Sequence, residues 1–125
     1  MKSKKFSWKS RARSFKYAFA GILRLVSSEH NMWLHIVAAV IAVTLGFVLS
    51  ISALEWVAIV ACIGAVFSAE AINTAIESLA DRISSNYDEA VGKAKDIAAG
   101  AVLFLAVASV VIGAIIFIPK ILVLL

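Results

Sequence analysis

Apolar residues in this chain gather into long runs instead of alternating, and those runs define its elements. Leu34 to Ile51 and Ile97 to Ile118 carry no charge. Leu54 to Leu79 is apolar apart from Glu55, Glu70, Asn73 and Glu77. At about 1.5 Å per residue, each run can cross a hydrocarbon layer of about 30 Å. The pattern predicts transmembrane helices over 33–51, 53–81 and 95–118. Ser52 followed by Glu55 fits a capping box that opens the second span, and the short link before it makes the first two spans an antiparallel hairpin. Ahead of the spans, Phe15, Ala18, Phe19, Ile22 and Val26 recur at helical spacing, with Arg13, Lys16, Ala20, Arg24 and Ser27 opposite. This predicts an amphipathic surface helix over 7–28. Such a helix lies flat on a membrane, packs on the protein's own spans, or does both. The expected fold class is therefore an all-α membrane protein, with one domain over 1–125.

Composition turns this expectation into a constraint. The 125 residues are 62% hydrophobic and 16% charged, with a mean hydropathy of +0.98. A soluble domain of this length has too little interior to hide so much apolar surface, whereas a bilayer accepts it. The lone Cys62 excludes a disulfide framework, and no cysteine or histidine spacing resembles a zinc site.

Charge orients the spans. Of 12 basic residues, Lys2, Lys4, Lys5, Lys9, Arg11, Arg13, Lys16 and Arg24 precede the first span. Arg82, Lys93 and Lys95 lie between the second and third, and the first link has none. Basic residues mark cytoplasmic segments and anionic lipid, which places the amino terminus in the cytoplasm and the carboxyl terminus on the far side. No other feature points to nucleic acid. The segment is not a signal peptide, because no apolar stretch with a small-residue cleavage site directly follows it.

The candidate chemistry lies on the second span. Glu70, Asn73, Glu77 and Asp81 fall on one helix face, within an arc of about 80°. An acid at mid-bilayer costs about 2.5–3.5 kcal/mol, and such residues usually mark function. Counting from Leu54, Glu70 lies about 24 Å and Glu77 about 35 Å along the helix. The acidic face therefore begins near the inner boundary and emerges into the cytoplasm. Glu29, Lys95 and Asp96 fall at similar depth and can join the same layer. Carboxylates and an amide are hard oxygen ligands suited to Mg²⁺, which usually keeps water and substrate phosphate as its other ligands. Carboxylates for a metal, a lysine for phosphate and a spare carboxylate as base are what phosphoryl transfer needs. There is no Gly-x-x-x-x-Gly-Lys-Ser/Thr loop, so a nucleotide would bind without one. Two other readings stand beside this: a structural seam of interhelical hydrogen bonds, and a small ion-coupled carrier subunit with the acids as a cation path. A carrier predicts polar groups through the whole depth, whereas here they gather at one boundary. His30 and His35 read as hydrogen-bonded interfacial residues, and Trp8, Trp33 and Trp56 as interface anchors. Ala98 to Ala101 and Gly113–Ala114 offer small surfaces for close helix packing.

The run from Ala69 to Arg82 resembles the signature Glu-x-x-Asn-x-Ala-x-Glu-x-x-x-Asp of the prokaryotic diacylglycerol kinase family, and Gly92–Asp96 resembles its second signature. The resemblance covers nearly the whole chain. It implies a membrane lipid kinase, in the bacterial inner membrane, that moves the γ-phosphoryl of MgATP to a lipid hydroxyl. It further implies Glu70 as catalytic base, Glu29 and Glu77 as magnesium ligands, and nucleotide contacts from Lys95, Asp96, Glu77, Glu29 and Tyr17. Asn73 and Asp81 would shape the site with Glu70. Members form trimeric helical bundles with composite sites, so a homotrimer is expected. Two acceptors occur in the family, diacylglycerol and undecaprenol. The stretch from Glu29 to His35 resembles the Glu-x-Asn-x-x-x-His pattern of undecaprenol-type members, where diacylglycerol-type enzymes carry an arginine at the position of Trp33 and an acid at that of His35. This leans toward undecaprenol.

Overall fold

The computed structural model describes residues 5–125, so Lys2 and Lys4 of the basic amino-terminal segment lie outside it. Four helices follow one another: α1 (Trp8–Ser28), α2 (His30–Val48), α3 (Ala53–Ile83) and α4 (Glu89–Leu124). There is no strand among the described residues. The last three helices are long and apolar enough to cross a membrane. The tract 95–118 is the interior of the longer α4, which at 36 residues runs about 54 Å and overshoots a hydrocarbon layer.

The helix ends show why the chain folds where it does. At the start of α3, Ser52 accepts from the Glu55 backbone N–H at 3.2 Å, and Glu55 accepts from the Ser52 N–H at 2.9 Å. This is the reciprocal capping box expected from the sequence. At the end of α2, Ser50 takes φ 51°, a left-handed conformation that glycine more often supplies. Its N–H donates to Phe47 and that of Ile51 to Gly46, so the last α2 carbonyls are satisfied as the chain reverses. Asp88 opens α4 by accepting from the Val91 N–H at 3.0 Å.

Packing divides the bundle into two unlike ends. Where α2 finishes, α3 starts and α4 finishes, Ile51, Ile59, Ile116 and Phe117 form a buried apolar cluster, flanked by Leu45, Trp56 and Ile112. Lys120 of α4 meets Glu55 of α3 there at 3.2 Å. The opposite end, where α2 begins and α3 finishes, holds the acids and the α1–α2 corner. α3 packs most extensively on α4, along an antiparallel pair. In α1, Leu25 is the buried residue; Ala18, Gly21, Ile22 and Leu25 line a groove against α3. Phe15 and Phe19 stay exposed. One edge of the apolar arc of α1 thus faces α3, and the other is left exposed.

Gly46 sits beneath the Trp56 ring, and a Cβ there would lie 2.6 Å from the indole. Gly46→Val is expected to destabilise the folded protein by roughly 1–3 kcal/mol through overpacking, read as a lowered thermal midpoint in detergent micelles. Pairing it with Trp56→Leu should recover most of the loss.

Candidate active site

α3 sets the site, because a helix turns its i, i+3 and i+7 positions to one side. Glu70 and Asn73 are the buried polar residues among those described, 2% and 5% exposed. Each is handled differently. His35 of α2 brings its Nε2 within 3.2 Å of Glu70 Oε2. A carboxylate only accepts, so the imidazole nitrogen donates. Asn73 donates from Nδ2 to Glu77 Oε1 at 3.2 Å. Its Oδ1 is buried and without a partner, as is the hydroxyl of Thr74. Such orphaned atoms are uncommon in folded proteins and mark places where a further group belongs.

Asp81, farther along the same face, takes Lys95 of α4 at 2.8 Å. Both groups are partly or well exposed, so this ion pair contributes little stability; its effect is to hold the lysine ammonium at the mouth of the acidic end. Asp96 and Tyr17 are exposed.

Glu29 occupies the corner between α1 and α2. Its backbone is extended, at φ −103° and ψ 111°, and its side chain does not cap α2. The carboxylate therefore stays available. It lies in a groove of about 570 Å³ between α1 and α3, with Arg24, Ser28, Thr74 and Ser78. Trp33 braces this corner, since its indole N–H donates to the Val26 carbonyl in the last turn of α1 and its ring meets His30 edge-on at 4.6 Å.

The structure thus joins the candidates in pairs: Glu70 with His35, Asn73 with Glu77, Asp81 with Lys95. Glu29 stands apart beside Thr74 and Ser78. No three carboxylate, imidazole or thiol groups converge as a metal cage among the described residues. The donors present still suit Mg²⁺: carboxylates from Glu29 and Glu77 and the unpartnered Asn73 oxygen are hard ligands, and this ion needs few protein groups when phosphate and water supply the rest. Sequence reasoning missed Thr74 and Ser78, although each directly follows a residue of the acidic face. It missed Leu25 as the seat of α1, and it read Trp33 only as an anchor.

A buried acid tied to an imidazole, a second acid bridged to an amide and a lysine at the mouth thus gather at one end of a helical bundle long and apolar enough to cross a membrane. Residues 16–117 match the prokaryotic diacylglycerol kinase family. The chain belongs to that family and is a membrane lipid kinase. It is 42% identical over 86% of its length to an undecaprenol kinase of Bacillus subtilis, covering 88% of that protein. It is 35% identical to a diacylglycerol kinase of Synechocystis over 87% of its own length and 63% of that chain. To the diacylglycerol kinase of Escherichia coli it is 36% identical over 60% of its length and 62% of that chain.

Proposed function

We propose that this kinase phosphorylates undecaprenol from MgATP, giving undecaprenyl phosphate. The observation that carries the reading is the likeness to the undecaprenol kinase, which is higher in identity than that to the diacylglycerol kinases and covers more of the relative's own length. The Glu29 to His35 stretch supports it. Diacylglycerol, giving phosphatidic acid, is the second reading; it is favoured by the Synechocystis relative, which matches over a similar span of this chain.

In the proposed reaction Glu70 is the base. The acceptor hydroxyl gives its proton to Glu70, its oxygen bonds to the γ-phosphorus, and the bond from that phosphorus to the ADP oxygen breaks. Little covalent help is needed, and catalysis is mostly positioning and charge neutralisation. Glu29 and Glu77 would hold Mg²⁺, which would supply charge neutralisation to the phosphates. Asn73 orients Glu77, and Asp81 holds Lys95 toward the nucleotide. Asp96 and Tyr17 complete the nucleotide contacts. The site is shared between protomers of a homotrimer. Support for this comes from the exposure of Tyr17 and Asp96 within one chain. The basic residues before α2 and around the α3–α4 link support an amino terminus in the cytoplasm, with the protein in the bacterial inner membrane.

Purified protein with labelled ATP and Mg²⁺, given undecaprenol and diacylglycerol in parallel micelles, is expected to label undecaprenol faster. Faster labelling of diacylglycerol would reverse the acceptor assignment. Glu70→Gln should lower turnover by about 10²–10⁴, the usual contribution of a general base, while MgATP binding by calorimetry stays near normal. Near-normal turnover would remove Glu70 as base. Glu77→Gln should shift the Mg²⁺ activation curve to higher concentration; an unmoved curve would take Glu77 out of the metal site.

A further inference from the structure

His35 makes the one side-chain hydrogen bond that Glu70 has among the described residues, at 3.2 Å across the α2–α3 interface. Its side chain is 19% exposed and that of Glu70 is 3% exposed, so the contact is shielded from competing water. In such a setting an oriented donor holds a carboxylate far more firmly than at a surface. Only one carboxylate oxygen, Oε2, is engaged; Oε1 is left for a substrate. His35 also stands at the polar end of a groove of about 450 Å³ between α2, α3 and α4. The groove is lined mainly by apolar groups such as Ala38, Ala42, Val66 and Phe117. The imidazole therefore sits where the hydrocarbon side of the molecule meets the buried acid. Trp33, two residues earlier on α2, turns instead to the α1 corner. Trp33 and His35 thus serve different groups: Trp33 braces the corner carrying Glu29, and His35 reaches Glu70.

We infer that His35 is a positioning residue: its Nε2–H fixes the Glu70 carboxylate so that the free Oε1 faces a hydroxyl arriving from the membrane. This rests on the reading of Glu70 as base. In the reaction Oε1 takes the hydroxyl proton while Oε2 keeps its hydrogen bond, so the acid does not rotate away as its charge is lost. His35 itself exchanges no proton with the substrate.

The test compares His35→Gln with His35→Asn in micelles, using whichever lipid the wild-type protein labels faster. Glutamine places an amide N–H near the position of Nε2; asparagine is too short and mimics Nδ1. His35→Asn is expected to lose about tenfold to a hundredfold in kcat, part of the 10²–10⁴ that a general base supplies. Its KM for MgATP should stay within about twofold, since positioning acts on transition-state rather than ground-state binding. His35→Gln should recover most of the lost kcat. Equal kcat in the two variants, whether both active or both inactive, overturns the inference. So does a raised KM for MgATP at unchanged kcat. Glu70→Gln in parallel separates the failures. If it stays active, the base reading falls; if it is inactive while the His35 pair is equal, only the role of His35 falls.

Discussion

A carboxylate 2% exposed on a membrane-spanning helix is the constraint on which the rest depends. Lipid offers Glu70 no hydrogen bonds, and an unpaired charge there is costly. Its surroundings must therefore supply partners, and α2 does so through His35. That requirement sets the rotation of α2 about α3, and with it the corner at Glu29 that leads into α1. The same helix pair is locked at the other end by the apolar cluster around Ile59 and Phe117. One end is held by shape and the other by polar pairing.

The division has a functional logic. The apolar end can be packed and closed by the Ser52 capping box and the Glu55–Lys120 pair because no substrate need enter there. The acidic end keeps orphaned oxygens, an uncapped Glu29 and an exposed Asp96. Glu70, the one buried acid among the described residues, has Oε2 engaged by His35 and Oε1 left without a hydrogen bond.

Much of this was legible in the residues. Run length predicted the spans, because the thickness of the hydrocarbon layer dictates how many apolar residues cross it. The i, i+3, i+7 spacing of Glu70, Asn73 and Glu77 placed them on one face, because helix geometry is local. The box at Ser52 and Glu55 was visible because capping involves residues three apart. The expected convergence of Glu29, Lys95 and Asp96 with the glutamates depended instead on distances between helices. In the structure Lys95 pairs with Asp81, while Glu29 lines the groove between α1 and α3.

The sequence by itself thus determined the number of spans, the acidic face and the family, since periodicity, length and local signature each act within one element. Tertiary structure alone decided which partner each polar group took: His35 for Glu70, Lys95 for Asp81, the Val26 carbonyl for Trp33. Those choices depend on the rotation and offset of one helix against another. Side-chain packing summed over whole helices sets that offset, and no short stretch of residues encodes it.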